Sequence, residues 1–274
     1  LLMTGNVKLV LEDGTELLGR GFGAPKTVVG EVVFNTAMTG YVETLTDPSY
    51  RGQILVMTFP LVGNYGVPAS RPKDSIDPPF ESDSVQVQGL VVQRHVPSYS
   101  HHAAARSLGD WLKSDDVPGV AGIDTRTLTR RLREHGTMKG WLFDATLSLE
   151  DAKSGAASVS MTDEVFQLVA PFKVERYGDG AHTIMLIDVG AKDNIIRSLV
   201  NRGVSVLRAP WHADLVEIAK EADGILIGNG PGDPSDLDPL VEQIRTLIDT
   251  FGGPIFGICL GNQILARAAG ARTY

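Results

Sequence analysis

Apolar residues along the chain recur with two different rhythms. In the first part, the apolar runs 7–11 and 16–23 flank Glu12-Asp13-Gly14-Thr15, and Asp-Gly between such runs predicts a tight hairpin, read here as a surface hairpin. The runs 31–35, 53–59, 85–92 and 119–123 are separated by Gly, Pro, Asn and Asp and predict further strands. Two helices interrupt them, 103–113 and 125–135, the second with Asp124 as N-cap and Gly136 just past its end. This mixture predicts an α+β N-terminal domain over 1–152. Small and polar residues over 148–160 predict a linker or a poorly packed helix, Tyr177-Gly178-Asp179-Gly180-Ala181 is a clear break, and the linker region is placed at 153–180.

Beyond the break the rhythm alternates regularly. Strands are predicted at 183–188, 204–208, 224–228 and 254–258, with helices at 192–202, 212–221, 236–251 and 261–269 between and after them. In the helix at 236–251, Leu237, Leu240, Val241, Ile244, Leu247, Ile248 and Phe251 fall at steps of three and four and form one apolar stripe. Nearly all-apolar strands such as Ile225-Leu226-Ile227 and Pro254-Ile255-Phe256-Gly257-Ile258 suit a parallel sheet covered on both faces. The region 181–274 therefore predicts a doubly wound α/β domain.

With 274 residues, 43% hydrophobic and 21% charged, the chain has the composition of a globular protein with room for two domains. The longest nearly apolar stretch, 54–63, contains Thr58 and Pro60 and falls short of the roughly 18 residues of a membrane helix, so none is expected. The balance of 25 Lys and Arg against 33 Asp and Glu gives −8, which opposes diffuse binding to nucleic acid or anionic lipid. A single cysteine, and a start Leu1-Leu2-Met3-Thr4-Gly5 without the features of a secretory signal, point to a reducing, cytoplasmic location. Arg126, Arg130, Arg131, Arg133 and Lys139 cluster on or near one helix; contact with a phosphate or an acidic partner is the alternative, but on an acidic chain they read as a solvated face, with no site assigned.

In doubly wound sheets the ligand site lies beyond the carboxyl ends of the strands, in the loops after Asp188, Gly228 and Ile258. The last loop is Gly257-Ile258-Cys259-Leu260-Gly261, a Gly-x-Cys-x-Gly between strand and helix and the thiol version of a nucleophile elbow. A sharp turn there holds the nucleophile in a strained backbone conformation, and small residues two before and two after it avoid clashes. The helix N-terminus, with free N–H groups and the positive end of the dipole, favours developing negative charge. The plainer reading is a small buried hydrophobe at a strand end, but a packing cysteine needs neither glycine. The loop Gly228-Asn229-Gly230-Pro231-Gly232-Asp233-Pro234 is stiff, and its glycine N–H groups can approach a ligand. It is either a second oxyanion donor beside the Leu260 N–H or a rigid turn into the next helix. Of His95, His101, His102, His135, His182 and His212, none follows Cys259 and none is convincingly placed as its base.

At Gly257 to Gln263, together with Asn229-Gly230-Pro231-Gly232-Asp233-Pro234, the sequence resembles class I glutamine amidotransferases. Gly30-Glu31-Val32-Val33-Phe34-Asn35-Thr36, Gly40-Tyr41, Leu45-Thr46-Asp47-Pro48-Ser49-Tyr50, Gly63-Asn64-Tyr65-Gly66 and Asp124-Thr125-Arg126 are similar to the small, glutamine-hydrolysing subunit of carbamoyl-phosphate synthase. The resemblance implies Cys259 as nucleophile, with Ser49, Gly230, Gly232, Leu260 and Gln263 at glutamine- or oxyanion-binding positions. It implies ammonia delivery to a large ATP-dependent synthetase, separate or fused downstream, for carbamoyl phosphate as a pyrimidine or arginine precursor. No cofactor or metal is implied in this chain; ATP and a divalent cation belong to the synthetase partner. By the residues alone Ser49 is turn chemistry. Two departures stand out: Asn262 replaces the family's usual His, and the family's His-x-Glu motif lies beyond the last residue here, Tyr274. The resemblance thus implies an incomplete amidotransferase domain that hydrolyses little glutamine by itself. The alternative from another class is a non-catalytic docking or regulatory module for the large subunit, and the first-domain motifs argue against an unrelated cysteine hydrolase.

Overall fold

The structure, a computed structural model, describes residues 5–72, 75–162 and 164–273. Its contacts divide the chain into two units, Leu1–Ser75 with Asp83–Val159, and Ile76–Ser82 with Ser160–Tyr274.

The first unit is built from β1 (Asn6–Leu11), β2 (Glu16–Gly23), β3 (Val28–Asn35), α1 (Tyr41–Leu45) and β4 (Gln53–Met57), then the two-residue strands β5 (Leu61–Val62) and β6 (Val67–Pro68). β7 (Gly89–Val92), β8 (Arg94–His95), β9 (Ala104–Arg106), α2 (Leu108–Ser114), β10 (Pro118–Ala121), α3 (Thr125–His135), β11 (Met138–Asp144) and α4 (Leu149–Gly155) follow. Seven strands close into a barrel in the order β1-β11-β3-β4-β7-β10-β2. Within it β3, β4, β7 and β10 run mutually parallel, while β1, β2 and β11 pair antiparallel. Val7, Leu9 and Leu11 alternate into the core with Val32, Ile54, Val56, Val91, Val120 and Leu142.

The hairpin of β1 and β2 is therefore not a surface hairpin. Its free edge is taken by β11, a strand not expected from the sequence because Lys139 and Gly140 interrupt the apolar run. Met138, Gly140 and Leu142 alternate inward, and a Cβ on Gly140 would lie 2.5 Å from the Val32 side chain. The strand expected at 85–92 is confined to β7, because the N–H groups of Val85, Gln86 and Gln88 bond Asp115, Leu45 and Gln53 instead. The helix expected at 103–113 begins only at Leu108, where Ser107 caps it by accepting from the Asp110 N–H. α3 spans the expected residues, with the Asp124 carboxylate accepting from the Thr127 N–H at 3.0 Å.

Of the two expectations for 148–160, the helix is the one found, and it buries a single residue. Ser148 caps α4, and Ala152, 1% exposed, packs with Val10 and Phe143 on the outside of the barrel. Ala157 then bridges to Val28. The motif residues of this unit hold one another. Tyr65 Oη accepts from the N–H groups of Gly40 and Tyr41, each at 2.9 Å, which caps α1, and Tyr41 Oη donates to the Gly66 carbonyl at 2.6 Å. The two rings stack at 4.1 Å, and burial pushes both phenols up from their ordinary range.

The second unit holds α5 (Glu164–Val169), β12 (Glu175–Tyr177), β13 (His182–Asp188), α6 (Asp193–Val200), β14 (Val204–Pro210), α7 (Leu215–Ile218), β15 (Gly224–Ile227), α8 (Asp238–Thr250), β16 (Ile255–Gly257) and α9 (Leu260–Ala268). Its sheet has the order β12-β14-β13-β15-β16, with β12 antiparallel and the rest parallel. The expected linker thus carries folded elements, α5 and an edge strand. Residues 76–82 also belong here: the Asn194 N–H donates to the Glu81 carboxylate at 2.8 Å and Arg197 donates to the carbonyls of Ile76 and Phe80. Leu186, Val206 and Leu226 pack with Ile196 of α6, and alternation turns Met185, Ile187, Ile225 and Ile227, also buried, to the opposite face. Two expectations of burial fail at the rim. β16 is an edge strand whose Phe256 is 65% exposed, and Ile248 on α8 is 40% exposed because the helix buries its Leu240–Val241–Ile244–Leu247 side.

Candidate active site

In the second unit β13 lies between β14 and β15, so the connection order reverses at β13, which is where doubly wound sheets bind ligands. The loops leaving β13 and β15 are tied together there. Asn229, 4% exposed, accepts from the Lys192 N–H at 3.1 Å and donates to the Gly190 carbonyl at 3.2 Å. Asp188, fully buried at the end of β13, accepts from the N–H groups of Gly190 and Ala191, both at 2.7 Å, and from Arg208 Nε at 2.5 Å. Burial alone would lower the Arg208 guanidinium, but the carboxylates of Asp188 and Asp193 outweigh it and raise the group, so it stays charged. This support was missed in the sequence; its one local signal is an Asp at a strand end two residues before a Gly, and Gly190 indeed has φ 114°.

Cys259 follows β16 as the N-cap of α9 with φ 53° and ψ −113°. Among the described residues only Asp116 shares a positive φ without being glycine. Such a backbone is held only where the surroundings over-determine it. They do so through the two flanking glycines. A Cβ on Gly257 would lie 2.5 Å from the Asn262 nitrogen and from the Gly261 carbonyl group, and a Cβ on Gly261 would lie 2.2 Å from the Ile227 carbonyl oxygen. Strand and helix therefore meet backbone to backbone, and the turn between them presents Cys259 exposed to solvent. The alternative of a buried packing cysteine does not describe this residue.

The neighbouring loop comes within side-chain contact of the elbow. A Cβ on Gly230 would sit 2.1 Å from the Val189 oxygen and 3.2 Å from Leu260 Cδ2. Among the described residues no protein acceptor takes the N–H of Leu260 or of Gly230. Gly232, at φ 78°, is packed against the Phe166 ring and is fixed as a turn. Gln263 is exposed on the first turn of α9, its N–H donating to the Cys259 carbonyl at 3.2 Å. Ser49 belongs to the first unit, in a 3-10 turn Pro48–Tyr50 where its N–H donates to the Asp47 carboxylate at 2.9 Å.

The two histidines of this unit stand away from Cys259. His182 opens β13 at the amino edge of a sheet whose carboxyl edge carries the elbow, about 20 Å off along the strand, and is 79% exposed beside Asp223. His212 follows β14, three strand spacings or roughly 14 Å from β16, and stacks edge-on against Trp211.

A thiol on a strained strand-to-helix turn, flanked by obligatory glycines and by open N–H groups, defines an α/β protein of the nucleophile-elbow class. Residues 185–274 match the family glutamine amidotransferase class-I, and residues 9–142 match the carbamoyl-phosphate synthase small chain, CPSase domain. Residues 9–142 thus belong with the carbamoyl-phosphate synthase small chain, and residues 185–274 with the class-I glutamine amidotransferases. It is 44% identical over 278 residues to the carbamoyl phosphate synthase arginine-specific small chain of Aspergillus niger, covering 98% of this chain and 60% of that one. It is 42% identical over 297 residues to the multifunctional protein URA2 of Saccharomyces cerevisiae, covering 97% of this chain and 13% of that protein. The multifunctional protein pyr1-3 of Dictyostelium discoideum is 43% identical over 281 residues, with 97% and 13% covered. The chain thus spans about three fifths of the small-chain relative and a small part of the multifunctional ones.

Proposed function

We propose that this chain carries the glutamine-binding and nucleophilic half of a glutaminase that feeds ammonia to an ATP-dependent carbamoyl-phosphate-forming synthetase. Cys259 Sγ attacks the side-chain amide carbon of glutamine. The N–H groups of Leu260 and Gly230 receive the developing oxyanion, the C–N bond breaks, ammonia leaves, and water then hydrolyses the thioester to glutamate. The observation that carries this reading is the Cys259 backbone at φ 53°, ψ −113° between glycines that contact leaves no room to substitute. Gly232, Gln263 and Ser49 as glutamine contacts rest on the family resemblance. ATP and a divalent cation act in the synthetase, whether a separate chain or part of a longer one.

The thiol proton must leave and the departing nitrogen must gain one, yet neither His182 nor His212 stands within hydrogen-bond reach of Cys259. Expressed alone, the chain should release ammonia from glutamine at close to the background rate, measured with a coupled glutamate assay. Turnover near the roughly 10 s⁻¹ of an ordinary enzyme would contradict this division of labour.

A further inference from the structure

Of the five basic residues gathered around α3, two are engaged by neighbouring side chains. Arg131 pairs with Asp13 at 2.6 Å, and Lys139 lies over the Trp141 ring. Arg126, Arg130 and Arg133 remain, at i, i+4 and i+7 and hence on one side of the helix. That side, with Thr129, forms one wall of a cavity of about 460 Å³.

The opposite wall is set by the barrel. β3, β4 and β7 run parallel, and the first residues past their carboxyl ends are Thr36, Thr58 and Gln93, all of which line the cavity. β10, parallel to β7, leads from the same end into α3 itself. Four parallel strands thus deliver their outgoing segments to one place, the end at which parallel α/β architectures bind ligands. The volume lies within the roughly 300–1,000 Å³ of small-molecule sites.

Its chemistry is one-sided. Three arginines, Thr36, Thr58 and Gln93 line the space, and among the described residues no Asp or Glu lines it. Arg133 is steadied over the Phe34 ring at 5.3 Å. The Asp124 carboxylate at the start of the helix is engaged by the Thr127 N–H and hydroxyl. On a chain of net charge −8 this is a local reversal of sign. Guanidinium forks with hydroxyl donors match a group that is doubly charged and accepts at several oxygens, which is a phosphoryl group.

We propose that this cavity in the first unit binds a phosphorylated small molecule. The site is independent of the glutaminase reading and shares no residue with it.

Calorimetric titration of the 274-residue chain with inorganic pyrophosphate at low salt tests this. One saturable site per chain is expected. Arg130→Gln and Arg126→Gln, both exposed positions, should each weaken it about tenfold, and Thr58→Val should weaken it measurably. Arg131→Gln removes the same charge from the same helix outside the cavity and should stay within about twofold. Absence of saturable binding would overturn the proposal. Equal loss in Arg130→Gln and Arg131→Gln would mean diffuse attraction to a basic helix and overturn it too. Citrate binding as tightly as pyrophosphate would overturn the phosphoryl assignment.

Discussion

Replacing Cys259 by Ala should take covalent capture of a diazoketone analogue of glutamine from one label per chain to none. The chain has no other cysteine, so a thiol-directed label has nowhere else to settle. What makes the wild-type reaction informative is its rate. Cys259 is solvent-exposed at the N-cap of a nine-residue helix, where open N–H groups face any negative charge that develops. The folded chain should therefore react at least about tenfold faster than the same chain in urea, where the thiol is intact and the elbow is gone. Intact-mass spectrometry follows both arms. A folded rate equal to the unfolded one would leave Cys259 an ordinary surface thiol and favour the docking-module reading.

The second large effect is structural. Gly261→Ala places a methyl group 2.2 Å from the Ile227 carbonyl oxygen, and both partners are backbone, so no side-chain rotation relieves the clash. Strand and helix must separate, at a cost of about 3 kcal/mol. For a unit of this size that is roughly a 10 °C fall in melting temperature by calorimetry. Capture at position 259 should fall with it, because the strained turn depends on the same approach. Gly252→Ala is the control: a Cβ there meets nothing within 4 Å, and the variant should melt within a degree or two of the parent. Equal stability of the two variants would show that the close strand–helix approach is not what holds the elbow.

The elbow was legible in the sequence because its cause is local. Gly257, Cys259 and Gly261 are two residues apart, and the strand–helix contact that excludes a Cβ at both glycines is made by their own neighbours and by β15. Helix α3 was legible for the same reason, since Asp124 and Gly136 cap it from within a few residues. Barrel closure was not, because the edge of β1 is filled by β11 more than 120 residues later, through a strand whose inward positions include a glycine. Residues 76–82 carry no sign that Arg197, far along the chain, will bond their carbonyls. Motifs of the first unit that suggested function by resemblance have a structural reason as well: Gly40, Tyr41, Tyr65 and Gly66 form one hydrogen-bonded group. The arginines of α3 show the opposite limit. Four arginines on α3, with Lys139 on β11, read as solvent-facing, and Arg126, Arg130 and Arg133 are exposed; the threonines and glutamine opposite them come from three separate strand ends, which no local pattern announces.

The central claim is that Cys259 is positioned to attack the side-chain amide of glutamine, and the most direct measurement is protection. Labelling of Cys259 by the diazoketone analogue is followed at rising analogue concentration, with and without glutamine, asparagine or glutamate. The rate should saturate, and glutamine should slow it while asparagine, one methylene shorter, and glutamate, charged where the amide is neutral, leave it nearly unchanged. A rate that rises linearly without saturation and is indifferent to glutamine would contradict the account.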